Sequence, residues 1–283
     1  MKKKLKRSGR LVDMTHYLLQ HPHEVISLTY FSDRYQSAKS SISEDLVIIK
    51  EIFDDEGYGT LLTTPGANGG VTFIPRIHEK EVEAFVNDLI ARLSVPERIL
   101  PGGYLYMMDL LGDPTFIRTV GRMFASVLAH KEIDAVMTVA TKGIPLAYGI
   151  AQYLNVPVRI VRRDHHVTEG TMVSINYVSG SSKRIQTMTL ARRSLAPGSK
   201  VFIVDDFMKA GGTIRGMIHL LEEFQAEPVG VGVLVESVDV EERLIDDYIS
   251  ITRLAKIDVK EKTIELQQGN ILQLTKDKGE EWR

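Results

Sequence analysis

The stretch VFIVDDFMKAGGT, residues 201–213, decides how this chain is read. Four apolar residues make a short buried strand, Asp205 and Asp206 stand at its C-terminal end, and a tight loop closes on Gly211, Gly212 and Thr213 before a helix. In an open α/β sheet, ligands bind just beyond the C-terminal ends of the strands. Backbone N–H groups of a glycine loop that opens a helix surround a phosphate, and the helix dipole favours the anion. Two adjacent carboxylates would repel phosphate. Beside such a loop they suit sugar hydroxyls, met directly or around a divalent metal. A bare strand-turn-helix with two exposed acids is the competing reading, and it leaves the placement of every part without a purpose.

The flanking sequence continues the pattern. IDAVMTVA (133–140), VPVRIVR (156–162) and VGVGVLVES (229–237) read as further strands, with a helix in PLAYGIAQYL (145–154). Ile214, Met217, Ile218, Leu221 and Phe224 form the apolar stripe of the helix after the glycine loop. Short strands alternating with helices predict a parallel sheet. Residues 163–199 interrupt the alternation with a polar stretch, made basic by Arg162, Arg163, Lys183, Arg184, Arg192 and Arg193. Those cations suit an anionic ligand, DNA or plain solvent. His165-His166 lacks a third metal ligand and Ser181-Ser182 lacks a nearby base, so both read as surface. Trp282 sits in a charged terminus expected to be disordered.

Residues 1–75 are organised differently. Lys2, Lys3, Lys4, Lys6, Arg7 and Arg10 crowd the first ten positions, yet residues 1–75 hold nine basic and nine acidic side chains. The basic tail is a local patch. Leu11, Met14, Leu18 and Leu19 recur at helical spacing up to His21-Pro22. A second helix is expected from Ser27, as N-cap, to Tyr35, with Leu28, Phe31 and Tyr35 on one face. A third runs from Ser41 to about Asp55. Ser41 and Glu44 have capping-box spacing, Ile42, Leu46, Ile49 and Phe53 form a stripe, and Gly57 and Gly59 close it. TLLTTPGANGGVTFIP (60–75) reads as a hairpin. Helix, turn and helix followed by a hairpin is the pattern of a winged helix-turn-helix. Lys39, Ser40, Ser41 and Ser43 open its recognition helix with side chains able to reach base edges, and Lys3, Lys4, Lys6, Arg7 and Arg10 suit phosphates. Glu44 and Asp45 should face away from DNA or accept from a cytosine amino group. An ordinary three-helix domain is the alternative. Pro75 and the charged run after it mark a boundary, so the domains are drawn as 1–75 and 76–283, joined by a helix from Glu79 to about Leu93.

The 283 residues, 43% hydrophobic and 25% charged, describe a globular protein. The lack of cysteine excludes disulfides and thiolate metal sites. No apolar run reaches the roughly 18 residues of a membrane span, so a cytoplasmic protein without membrane contact is expected. The net charge of −2 selects no partner.

Residues 201–213 resemble the phosphoribosyl-pyrophosphate signature of type I phosphoribosyltransferases. The resemblance implies that Asp205 and Asp206 meet ribose hydroxyls, while Lys209, Ala210, Gly211, Gly212 and Thr213, next to Phe207 and Met208, surround the 5′-phosphate. ATKG (140–143) resembles the pyrophosphate loop, with Thr141, Lys142 and Gly143 at the anion. SINYVSGSSKR (174–184) falls where those enzymes carry a mobile loop. Lys209 and Ala210 depart from that family, which has a small residue and a hydroxyl there, and no segment for recognising a nucleobase is evident. The two halves together resemble the purine-operon repressors of Gram-positive bacteria, through RSGRLVDM (7–14), SAKSSISEDL (37–46), ILPGGY (99–104), VATKGIPLAY (139–148), VSINYVSGSS (173–182) and VDDFMKAGGT (204–213). That family implies a homodimer on double-stranded DNA of purine-gene control regions. It implies phosphoribosyl pyrophosphate as inducer, with magnesium as an optional companion, the alarmone ppGpp as competing effector, and no transferase activity. Tyr104, Arg162 and Phe207 join the pocket on the same basis. An active purine phosphoribosyltransferase with an accessory domain is the alternative. An RNA-binding regulator is weaker, since residues 1–75 lack an evident stacking platform.

Overall fold

The computed structural model describes residues 5–66, 69–163, 170–178 and 185–281. The chain divides into two units after His78, with Tyr153–Asn155 grouped with the first.

The first unit is built from α1 (Arg7–Gln20), α2 (Leu28–Tyr35), α3 (Lys39–Asp55), β1 (Gly59–Thr64) and β2 (Gly70–Pro75). Ser27 caps α2 as expected, its Oγ accepting from the Tyr30 N–H at 3.1 Å. The turn to α3 passes through Gln36 at φ 50°. It brings the chain into helical conformation early, so α3 starts at Lys39 with Ala38 as its N-cap. The Ser41–Glu44 capping box is therefore a misreading: Ser41 already lies within the helix, and alanine has no side chain to accept a bond. Met14, Leu18, Phe31, Tyr35, Ile42 and Phe53 fill one core with residues of the hairpin. Leu19 is 47% exposed and does not join it. Glu56 caps α3 and Gly57, at φ 67°, turns the chain out. β1 and β2 pair antiparallel from Gly59↔Pro75 to Thr64↔Gly70, and Ile26 adds a bridge to Val71. This is a helix-turn-helix with a wing.

The second unit begins with α4 (Glu79–Leu93), a 3₁₀ turn, and the short pair β3 (Ile99–Leu100) and β4 (Tyr104–Leu105). Two helices, α5 (Met108–Leu111) and α6 (Pro114–Val127), lead to β5 (Ala135–Val139), α7 (Gly143–Leu154) and β6 (Val158–Val161). Next come the hairpin β7 (Met172–Val178) and β8 (Ile185–Ala191), then β9 (Lys200–Met208), α8 (Gly212–Glu223), β10 (Glu227–Ser237), β11 (Ile249–Asp258), β12 (Thr263–Gln268) and α9 (Ile271–Glu281). Among the described residues the main sheet has six strands in the order β12-β11-β10-β9-β5-β6, parallel except for β12. Met137, Ile203 and Val233 on one face pack with Met217, Leu220 and Leu221 of α8 and with Tyr177 and Met188 of the hairpin. Phe202, on the opposite face, lies 5.9 Å from Phe124 of α6.

Two expectations change here. The polar stretch 163–199 is not all loop, since 172–178 and 185–191 form an antiparallel pair whose Tyr177, Met188 and Leu190 are buried. The charged C-terminus is helical through Glu281, while Trp282 lies outside the described residues. Among the described residues no helix is long and apolar enough to cross a membrane.

Candidate functional site

Strand order determines where a ligand can enter the second unit. From β5 the sheet grows outward to β6, whereas from β9 it grows the other way to β10 and β11. The reversal opens a crevice at the C-terminal ends of β5 and β9, the position where doubly wound sheets bind ligands. The two loops that leave those ends are Ala140–Gly143 and Lys209–Gly212, the stretches singled out in the sequence.

Strand β9 runs two residues past the acids to Met208. Asp205 is 7% exposed and Asp206 is half-buried. The Asp206 N–H donates to Asp205 Oδ1 at 2.9 Å. Burial pushes the Asp205 carboxyl well above the usual aspartate range, the neighbouring Asp206 charge adds to the shift, and Arg163 opposes it. Asp206 is raised as well, through burial, while its bond with Asp205 and the Lys142 ammonium pull back. Lys142 of the first loop therefore acts electrostatically on Asp206 near the end of β9. The pair of desolvated carboxylates fits hydroxyl donors or a magnesium ion, which takes one or two carboxylates plus ligand phosphate oxygens. Among the described residues no group of three His, Cys, Asp or Glu is placed for an all-protein metal site.

Around the acids, Gly211 at φ 90° ends the loop as N-cap of α8, and Gly212 begins the helix. This conformation is open to glycine and strained for other residues. Lys209 is exposed, Ala210 and Thr213 are half-buried, and the backbone N–H groups at the start of α8 face the loop side. Thr141 and Lys142 are exposed, with Gly143 buried at the start of α7. Phe207 is half-buried, but Met208 is 2% exposed in the hydrophobic core, so only its backbone is available to a ligand. Tyr104 is 67% exposed on β4. Arg162 follows β6, its backbone bridging to Thr189 of β8. His165, His166, Ser181, Ser182, Lys183 and Arg184 lie outside the described residues. One contributor went unread in the sequence: the segment after β10, where Arg243 Nη1 donates to the Lys209 carbonyl at 2.8 Å. An arginine at a distance of 34 residues carries no local signal.

In the first unit, Lys39, Ser40 and Ser43 are exposed at the start of α3 and Ser41 is half-buried. Ser43 Oγ donates to the Lys39 carbonyl at 3.0 Å. Asp45, 1% exposed, accepts from Arg7 Nε and Arg10 Nε, each at 2.9 Å. Asp45 is thus buried in ion pairs within the domain, whereas Glu44 is exposed, its Oε2 3.8 Å from Arg7 Nη2. Arg7 and Arg10, expected at phosphates, are instead engaged inside the domain: Arg10 is only 12% exposed, whereas Arg7 at 53% keeps part of its surface. Lys6 is exposed at the N-cap of α1, and Lys3 and Lys4 lie outside the described residues.

Fold and site define a class: a winged helix-turn-helix DNA-binding domain fused to an α/β domain of the phosphoribosyltransferase type. Residues 6–75 match the family model of the bacterial purine repressor N-terminal domain, and residues 108–268 match that of the phosphoribosyl transferase domain. The chain is 64% identical over 274 residues to the purine biosynthesis transcriptional repressor PurR of Bacillus subtilis (strain 168), covering 97% of this chain and 96% of that one. It is 48% identical to the purine biosynthesis transcriptional activator PurR of Lactococcus lactis subsp. lactis (strain IL1403), covering 94% and 98%. A xanthine phosphoribosyltransferase of Lactococcus lactis subsp. cremoris (strain SK11) is 32% identical over 149 residues, 52% of this chain and 76% of that one. Among solved structures, adenine phosphoribosyltransferase from Thermoanaerobacter pseudethanolicus superposes with a TM-score of 0.51 at 21% identity, over 58% of this chain and 96% of that one, which establishes the fold. The chain belongs to the family of bacterial purine biosynthesis transcriptional regulators.

Proposed function

We propose that the protein represses purine biosynthesis genes as a cytoplasmic homodimer bound to double-stranded DNA in their control regions, and that phosphoribosyl pyrophosphate weakens this binding. The observation that carries the reading is the meeting of Lys142, Asp205, Asp206 and the 209–213 loop at the sheet's switch point, in a chain that begins with a winged helix-turn-helix. Repression follows the 64% identical relative, named a repressor, over the 48% identical one, named an activator.

In this reading the 209–213 loop and the start of α8 hold the 5′-phosphate, and Thr141, Lys142 and Gly143 hold the pyrophosphate. Asp205 and Asp206 accept the ribose hydroxyls. Asp205 and Asp206 would be the residues to hold magnesium, which would supply positive charge to offset that of the pyrophosphate. The alarmone ppGpp, which carries two pyrophosphate groups, competes for the same cations. Tyr104, Arg162 and Phe207 complete the pocket. A ligand shifts a two-state protein only through different affinity for the two states, so the inducer must bind the DNA-incompetent form more tightly.

No transferase turnover is part of the proposal. Lys209 adds a cation at the 5′-phosphate, which favours ligand retention over product release. The opposing reading, an active purine phosphoribosyltransferase, is favoured by the 32% identity to a xanthine phosphoribosyltransferase. Gel shifts on purine-gene control DNA, with and without magnesium phosphoribosyl pyrophosphate, test the proposal, and DNA affinity unchanged by the ligand would sink it. Base-dependent pyrophosphate release would establish the opposing reading.

A further inference from the structure

The phosphate loop is held from outside by the segment after β10. Arg243 Nη1 donates to the Lys209 carbonyl at 2.8 Å, and the Leu244 N–H donates to the Ala210 carbonyl at 2.9 Å. Ile245 lies so close to Gly211 that a Cβ added there would stand 2.9 Å from Ile245 Cγ1. The peptides that follow Lys209 and Ala210 are trans, so each carbonyl points opposite to the next residue's N–H. Drawing these two successive carbonyls toward residues 243–244 therefore turns the N–H groups of Ala210 and Gly211 to the other side of the loop. That is the orientation an anion cradle needs.

Arg243 is itself anchored. Its Nη2 donates to the Ser237 carbonyl at 2.7 Å and lies 3.4 Å from Glu236 Oε2, and its guanidinium sits 5.5 Å from the Tyr248 ring centroid. Glu236 is 3% exposed. Ser250 Oγ donates to its Oε1 at 2.8 Å, Arg253 Nε stands 3.2 Å from the same oxygen, and the Tyr248 hydroxyl donates to Oε2. The carboxylate is thereby fixed by partners on β11 and on the connecting segment. Burying a charge is tolerable only with such pairing, and removing one member leaves the rest unsatisfied.

We infer that Arg243, oriented by Glu236, is a positioning residue that presets the 209–211 loop in its anion-binding shape before any ligand arrives. This rests on reading that loop as the 5′-phosphate site. A loop ordered in advance binds more tightly because less conformational freedom is lost on binding. Neither residue needs to touch the ligand.

The test uses the full-length chain and the variants Arg243→Ala, Arg243→Lys and Glu236→Gln. Amide hydrogen exchange over 209–214 is measured without ligand, and the affinity for magnesium phosphoribosyl pyrophosphate is measured by calorimetry. Arg243→Ala should speed exchange and weaken affinity about 10- to 100-fold, the range for outer-shell partners. Arg243→Lys, which returns one donor to the Lys209 carbonyl, should recover part of both, and all variants should bind DNA like the wild type without effector. Unchanged exchange overturns the inference, as does faster exchange with affinity within twofold of wild type. If the wild type binds no phosphoribosyl pyrophosphate, the effector reading falls, and exchange alone decides the role of Arg243. Should Arg243→Ala not fold, Arg243→Lys and Glu236→Gln carry the same comparison.

Discussion

Arg10 and Asp45 form a forked ion pair in the first unit, with Nε at 2.9 Å and Nη2 at 2.8 Å from Asp45 Oδ2. Asp45 is 1% exposed and lies on the recognition helix α3, so the pair ties the start of α1 to that helix. Removing one partner of a buried pair leaves an uncompensated charge, at a cost of about 3 kcal/mol. Asp45→Ala should lower the stability of the DNA-binding unit by that order in denaturant unfolding. DNA affinity should fall through loss of folded domain.

Lys6 is exposed at the start of α1 and is expected to meet a phosphate. Replacing it with alanine should weaken DNA binding about equally on all sequences and lower the slope of log affinity against log salt by about 1. Ser40→Ala should instead change the preference among operator variants. Arg10→Ala should act through stability, leaving the salt slope of the folded fraction near wild type. Fluorescence anisotropy across a salt series separates these outcomes.

The acids of the second unit predict a pH effect with a definite sign. Asp205 and Asp206 have folded-state pKa values above the ordinary 3.8. Between the two values the folded state binds more protons than the unfolded state, so stability falls as pH rises through that window and stays reduced above it. Asp205→Asn with Asp206→Asn removes the penalty. The double variant should unfold about 2–4 °C higher at pH 8, the shift for about 1 kcal/mol in a domain of this size. The gain should shrink as pH is lowered toward 4. The same variant should lose its response to phosphoribosyl pyrophosphate yet still bind DNA.

Lys209 is exposed at the start of the 209–213 loop, the proposed 5′-phosphate site. Lys209→Ala should weaken effector binding about tenfold, equivalent to roughly 1.4 kcal/mol. It should not create purine phosphoribosyltransferase turnover, which a coupled pyrophosphate assay would detect. Derepression in gel shifts should then need correspondingly more ligand.

Much of the architecture was legible because its signals are local. The stripe Ile42, Leu46, Ile49 and Phe53 marked α3, Ser27 marked the start of α2, and VFIVDD marked β9 with its acids. The start of α3 was misjudged because a serine-glutamate spacing competed with a turn at Gln36 that only backbone geometry reveals. The β7–β8 pair went unread although Val173, Ser174, Ile175, Asn176 and Tyr177 alternate with the period of a half-buried strand, because the stretch around it is dominated by polar and basic residues. Met208, read as part of the site, turns into the core because β9 continues past the acids.

By itself, the sequence determined the two modules and the acids and glycines at the end of β9, since periodicity, glycine loops and adjacent carboxylates are properties of short stretches. The tertiary structure decided which pieces meet. Strand order set the Lys142 loop and Asp206 at the ends of neighbouring strands, burial raised the paired acids, and Asp45 took Arg7 and Arg10 into ion pairs within the domain. It also brought Arg243 from 34 residues away onto the loop it braces. Those outcomes depend on desolvation and on partners distant in the chain, quantities that arise only once the sheet and the helices have closed around them.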